Sequence, residues 1–488
     1  GIYAKLVEKC GDRMYWENWA KEVGLIAQKF IERITRLIVK EGKYKAEFKN
    51  YLDGLRKNIN PSVDSEQAIE MLAQHMITKP VFDALFADYE FVKNNTVSRS
   101  MQSMIDVLKE EAFDKDTEVL DKFYTSVKIN VGNIDNLEGK QTVIKNLYEK
   151  FFKGAFPKTV DKLGIVYTPV ECVDFIIRSV NELLKSEFDT SLTEENVHIL
   201  DPFTGTGTFI TRLLQSGLIR PEDLERKYRN EIHCNEIVLL AYYIADVNIE
   251  SVFHDLVKRD KYLPYDGICL TDTFQLNEEG NRDIFSQLFQ ENSERVIKQK
   301  KAPVRVIIGN PPYSVGQKSA NENAQNLSYP LLDSRISETY VRETENKGKT
   351  VQSLYDSYIK AFRWASDRIS QSEEGGIIAF ISNGAWIDSS AGEGFRKTLN
   401  KEFSSVWVFN LRGNQRTQGE LSRKEGGKIF GSGSRTPIAI TILVKNPAKK
   451  GNAEIHYHDI GDYLTREQKL KIIRDFKSIK SRKMEWEI

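Results

Sequence analysis

From residue 165 onward, short Ile- and Val-rich runs alternate with stretches of helical periodicity, and this alternation constrains the fold more than any other feature of the chain. Apolar runs stand at 197–201, 231–235, 267–271, 304–309, 376–381, 406–410 and 438–444. Most are short and continuous, as expected of strands buried on both faces. Helix-length segments such as 354–370 separate them. Strands joined through helices form crossover units, so the pattern predicts an α/β domain with a doubly wound, mostly parallel, seven-stranded sheet. The last two runs read as a near-hairpin.

The first 160 residues have a different texture. Apolar and charged side chains recur at helical spacing, most plainly at 24–39, where Leu25, Ile26, Phe30, Ile31, Ile34, Leu37 and Ile38 fall on one stripe. Asn60-Pro61-Ser62 and Lys79-Pro80 punctuate the pattern. We read 1–160 as an all-α scaffold or coupling domain that carries no nameable chemistry, and 161–448 as the α/β domain. Two stretches break the α/β rhythm. Segment 314–352 is long and polar, with seven Asn or Gln, and reads as a functional or mobile loop. Segment 412–435 holds six basic residues against two acidic.

Charge bounds the partners. Over 488 residues, 70 Lys and Arg balance 70 Asp and Glu, which excludes a uniformly basic nucleic-acid coat but not a local basic groove. The tail at 463–488 is one further basic patch, eight against four. An apolar share of 40% excludes a disordered or fibrous chain. No apolar run reaches the roughly 18 residues of a membrane span, and no charged-then-apolar leader opens the chain, so no membrane partner is expected. Cys10, Cys172, Cys234 and Cys269 are scattered without a CxxC pair, and the histidines never approach HxxxH spacing with an acid. A cytoplasmic protein without a metal or disulfide framework fits that usage. A first residue of Gly reads as a processed chain or an excised fragment.

Chemistry concentrates at the ends of four strands. The first runs into Asp201-Pro202-Phe203-Thr204-Gly205-Thr206-Gly207-Thr208 and opens a helix. Gly205 and Gly207 let the backbone bend and approach a ligand, and the helix start offers free N–H groups to a carboxylate. Alone, this is an ordinary strand–helix turn. The second strand ends at Asn235-Glu236, an acid placed to accept from two ribose hydroxyls. The third ends at Thr271-Asp272-Thr273-Phe274, where Asp272 can accept from an adenine amino group and Phe274 can pack beside it. Together these outline a nucleoside pocket with no phosphate binder. The string Gly348-Lys349-Thr350 lacks the earlier glycine of a P-loop and follows no apolar strand.

The fourth strand runs into Asn310-Pro311-Pro312-Tyr313. The prolines fix the backbone and lack N–H donors. The Asn310 side-chain oxygen and the Pro311 carbonyl can then both accept from one planar amino group, and Tyr313 offers a face on which a base can stack. Trp386, after the fifth strand, is a candidate for the base's other face, with a core or lid aromatic as the plain alternative.

The ordered strings DPFTGTGTF, CNEI, LTDTF and NPPYS resemble those of S-adenosylmethionine-dependent amino methyltransferases, in the order of γ-class DNA adenine-N6 enzymes. The resemblance spans about residues 160–445 and implies the Rossmann-like methyltransferase sheet. It also implies that Tyr167, Thr168 and Pro169 help hold the methionine part of the cofactor. Asp201, Phe203, Gly205, Gly207, Glu236, Asp272 and Phe274 would complete the cofactor site, and Asn310, Pro311, Pro312 and Tyr313 would be catalytic. One departure is that Thr273 separates the acid from its aromatic. The segments NPPYSVGQ…NLSYPLLDSRISETY, SLYDSYIKAFRWASDRI and EIHYHDIGDYLTREQKLKII are similar to Type ISP enzymes, single-polypeptide restriction–modification proteins. In that family a nuclease and a helicase-like motor precede a helical coupler and the methyltransferase, and a target-recognition domain follows. The resemblance thus implies a central fragment, with 449–488 a basic linker or the start of the recognition domain, and double-stranded DNA plus those other domains as partners.

The expected activity is site-specific adenine methylation of a base flipped out of DNA. Two alternatives stay open: an NPPY-type methyltransferase acting on protein glutamine or RNA guanine, and a DNA-binding or coupling module whose cofactor is regulatory. N4-cytosine methylation is disfavoured, since such enzymes more often carry Ser before the prolines.

Overall fold

The computed structural model describes residues 13–39, 42–85, 94–112, 125, 168–258, 261–278, 286–312, 329–345, 349–430 and 435–488. Two sequence-predicted site residues, Tyr167 and Tyr313, lie outside them. The strands are β1 (His198–Asp201), β2 (Ile232–Glu236), β3 (Ile268–Leu270), β4 (Val304–Gly309), β5 (Gly376–Asn383), β6 (Ser405–Arg412), β7 (Ile438–Lys445) and β8 (Glu454–Asp459). They form one sheet in the order β3-β2-β1-β4-β5-β7-β6-β8. Strands β1 to β5 pair in parallel, and β7 runs antiparallel between β5 and β6.

The core explains the parallel part. Every residue of β4 and β5 is buried. Along β4, Val306 and Ile308 face one apolar cluster and Ile307 the other, so alternate residues fill two layers. Helix α5 (Val170–Phe188) covers one face, with Phe175 5.4 Å from Phe409. The opposite face is covered by Ser357–Ser370, where Phe362 lies 5.3 Å from Phe380. Each fully buried Val, Leu or Ile stabilises by roughly 1.5–3 kcal/mol.

Among the described residues the sheet has eight strands, not the expected seven. Strand β8 pairs in parallel with β6 and comes from the stretch that the sequence reads as a basic linker. Its sequence, EIHYHD, buries one residue, His456, on an open edge, so it has no continuous apolar run to mark it as a strand. The chain then folds back. Arg466–Phe476 forms a helix, Ile479 N donates to Ser179 Oγ of α5 at 3.0 Å, and Tyr457 bridges Glu487.

The front end is helical where described: α1 (Arg13–Val39), α2 (Lys43–Asn58), α3 (Ser65–Leu85) and α4 (Thr96–Ala112). In α1, Phe30, Ile34 and Leu37 are buried as the stripe predicts, joined by Ala27, while Leu25 is 64% exposed. Helix α3 runs through Pro80 instead of stopping there, carrying a buried face that includes Leu72, Met76, Ile77 and Phe82. These helices pack on the β3 side of the sheet, against α7 (Leu239–Val257) and α8 (Gln290–Lys301), the helix α6 (Thr208–Gln215) having followed β1. Phe82 lies 6.1 Å from Tyr243, His75 Nδ1 is 2.9 Å from the Tyr243 hydroxyl, and Asn95 Nδ2 donates to Asp246 Oδ2 at 2.6 Å. One apolar cluster is continuous across this boundary. Among the described residues no helix is long and apolar enough to cross a membrane. Of segment 314–352, residues 314–328 and 346–348 lie outside the described residues, and the described part from Pro330 is largely helical: α9 (Pro330–Ile336) leads into a π turn at Ser337–Val341.

Candidate cofactor and base-binding site

The topology reverses between β1 and β4, and ligands in such sheets sit beyond the carboxyl ends of the strands at that point. There the sheet gathers Asp201 from β1, Glu236 from β2, Asp272 just past β3 and Asn310 just past β4.

Asp201 is fully buried. Its Oδ1 accepts from Phe203 N at 3.1 Å, and among the described residues its Oδ2 has no partner. Burial is the main reason its carboxyl is pushed up to about 8, with the Glu236 charge adding to it. The glycine turn follows. Gly205 and Gly207 hold φ of +57° and +84°, the left-handed region that favours glycine. A Cβ on Gly207 would stand 3.2 Å from the Ala245 Cα of α7, so this glycine also permits the close approach of that helix. A Cβ on Gly205 would meet nothing within 4 Å: this part of the turn faces open space.

The Glu236 carboxylate is held by backbone. Oε2 accepts from Gly205 N at 2.8 Å, and Oε1 accepts from Ile237 N at 2.8 Å and Val238 N at 2.7 Å. Its capacity toward a ligand is therefore concentrated on Oε2. Burial raises its carboxyl to about 7 against the pull of those three donors.

Asp272 is 4% exposed. Oδ1 accepts from Phe274 N at 3.0 Å; Oδ2 accepts from the Tyr329 hydroxyl and from Asn60 Nδ2, each at 2.8 Å. Burial raises its carboxyl while these donors oppose the rise. Phe274 packs 5.5 Å from Phe203 and 5.3 Å from Tyr329, so the three rings line one wall. Thr273, which separates acid from aromatic, has a structural task. Its hydroxyl donates to Pro202 O at 2.6 Å and accepts from Asn235 Nδ2 at 3.2 Å, latching three strand ends together.

Asn310 donates from Nδ2 to Thr168 Oγ1 at 2.9 Å. This bond turns Oδ1 away as an acceptor, and that oxygen is buried without a partner among the described residues. A buried unpaired acceptor is costly unless a ligand meets it. Pro311 is buried, Pro312 half-buried, and Pro169 precedes α5. Trp386 is 4% exposed and packs edge-on to Phe395 at 5.1 Å; among the described residues its indole N–H is unpartnered. Arg412, in the basic segment, is committed internally to Asp459 at 2.7 Å and to Asp462.

Sequence reasoning singled out Asp201, Glu236, Asp272 and Asn310, and the structure brings all four to one rim. It missed Asn60, Asn235 and Tyr329, which carry the hydrogen bonds that fix that rim.

Residues 15–139 match the family described as Type ISP restriction-modification enzyme, coupler domain, and residues 230–415 match Eco57I restriction-modification methylase. The chain carries a Type ISP coupler and an Eco57I-type methylase. Solved structures agree. A nuclease-deletion mutant of the Type ISP restriction-modification enzyme LlaGI, in complex with a DNA substrate mimic, is 48% identical with a TM-score of 0.90 over 99% of this chain. The ATP-dependent Type ISP restriction-modification enzyme LlaBIII, bound to DNA, is 43% identical with a TM-score of 0.92 over 100%. A DrdV–DNA complex is 32% identical with a TM-score of 0.87 over 99%. This coupler–methylase chain spans 39%, 33% and 45% of those three chains. No curated protein sequence matches it.

Proposed function

We propose that this chain transfers a methyl group from S-adenosylmethionine to the N6 amino group of an adenine flipped out of double-stranded DNA. The observation that carries the reading is the Asn310 carboxamide: its NH2 donates to Thr168 Oγ1, and its oxygen is left as a buried acceptor at the tip of β4. The methylase family implies use of S-adenosylmethionine, and the pocket fits it. Among the described residues Asp201 Oδ2 is an unpaired acceptor, Gly205 borders open space, the start of α6 offers N–H groups, and Glu236 and Asp272 stand as acceptors for hydroxyl and amino donors. When bound, that cofactor supplies an electrophilic methyl group.

The chain's own residues do the rest. Asn310 Oδ1 and the Pro311 carbonyl accept the two N–H bonds of the target amino group. That draws its lone pair out of the ring and aims it at the cofactor side of the rim. Pro311 and Pro312 hold this backbone stiff, so the acceptors are preorganised and need no rearrangement during the reaction. Positioning of this kind supplies much of a barrier reduction. Tyr313 and Trp386 are the proposed faces for the extruded base. Double-stranded DNA and the other domains of a restriction–modification polypeptide are the proposed partners.

Tritiated S-adenosylmethionine, plasmid DNA and the full-length protein test this. N6-methyladenine among the digested nucleosides supports it. Label found only in protein or RNA favours the NPPY alternative, and cofactor-dependent DNA binding without label favours a coupling module.

A further inference from the structure

The coupler reaches the pocket. Helix α2 ends at Asn58, and its carbonyl accepts from Thr271 Oγ1 at 2.8 Å. Asn58 Oδ1 accepts from Asn292 Nδ2 at 2.9 Å and from Ser293 Oγ at 3.1 Å. Asn292 in turn serves the edge strand: Leu270 N donates to its Oδ1 at 2.9 Å, and its Nδ2 donates to Leu270 O at 3.1 Å. The end of α2 is thereby bolted to the exit of β3. Two residues on, Asn60 is 5% exposed with its carboxamide fixed in orientation. Ser62 N donates to Oδ1 at 2.9 Å, which turns Nδ2 onto Asp272 Oδ2 at 2.8 Å. The same oxygen accepts from Tyr329, which lies beyond NPPY in the chain. Glu278 secures that region too, accepting from Leu331 N and Leu332 N at 2.8 Å each.

We propose that Asn60 is a positioning residue for cofactor binding, acting from the coupler: with Tyr329 it clamps Asp272 Oδ2 so that Oδ1 is presented to the adenine amino group. This rests on the reading of the pocket as an S-adenosylmethionine site. The terminal torsion of an Asp side chain is broad and soft. Donors on both oxygens remove that freedom before the ligand arrives, which spares the ligand the ordering cost. Linkage makes the effect reciprocal: a coupler docked through Asn60 favours the cofactor, and a bound cofactor favours the docked coupler.

The test is calorimetric binding of S-adenosylhomocysteine and of its inosine counterpart, which carries a carbonyl where adenine carries the amino group. Wild type binds the adenine form and prefers it. Asn60→Ala is expected to weaken the adenine form roughly tenfold and to shrink the preference, a change that general loosening of the interface would not produce. Ser100→Ala removes a 2.6 Å bond to Leu288 O elsewhere on the same interface and should leave both constants unchanged. If Asn60→Ala does not fold, Tyr329→Phe removes the other donor on Oδ2 and reads the same ratio. Wild-type affinity and preference in the folded variant overturn the inference. Failure of wild type to bind S-adenosylhomocysteine overturns the pocket reading instead.

Discussion

Asp201 sits fully buried at the tip of β1, and burial pushes its carboxyl up to about 8. A carboxyl held above its unfolded value of about 4 binds its proton more tightly when folded. Its stabilising contribution is full below the unfolded value and is lost as pH rises through the folded one. Glu236 has the same sign, raised to about 7. The midpoint of thermal unfolding is therefore expected to fall between about pH 5 and about pH 8, with Asp201→Asn flattening much of the fall. A variant slope equal to that of wild type contradicts this. These acids were legible from sequence because each closes an apolar strand. Asn60 was not, because its partner lies 212 residues away and an Asn-Pro pair after a helix looks like any turn.

At the scale of elements, the turn after β1 is held close against α7. Gly207 combines φ of +84° with a neighbouring backbone only 3.2 Å from a would-be Cβ. Gly207→Ala should cost roughly 1–2 kcal/mol for the left-handed backbone alone, more with displacement of α7. The loss is read as a lowered melting temperature together with weaker cofactor binding, and an unchanged melting temperature contradicts it. At the far edge, Lys469 of Arg466–Phe476 has no exposed surface and donates to Leu411 O, Glu425 O and Gly427 O at 2.9, 2.7 and 3.0 Å. Lys469→Met strands three carbonyls and should destabilise by roughly 3 kcal/mol, checked by denaturant unfolding. The parallel strands were readable as continuous apolar runs. Strand β8 and this helix were not, since their polar residues find partners that only the assembled edge supplies.

For the whole molecule, the helical front end and the sheet share a continuous apolar cluster, and polar pairs such as Asn95–Asp246 cross the same boundary. Calorimetry is therefore expected to show one unfolding transition carrying both parts, and two separated transitions would refute the shared core. Cofactor at a hundredfold excess over its Kd should stabilise that transition by about 2.7 kcal/mol. The most direct measurement of the central claim is methyl transfer to DNA by wild type and Asn310→Ala, alongside cofactor binding by each. The expected result is N6-methyladenine from wild type, a loss of at least roughly 100-fold in the variant, and equal cofactor affinity. Transfer that survives in Asn310→Ala, or a variant whose only defect is lost cofactor binding, would contradict the role assigned to that buried oxygen.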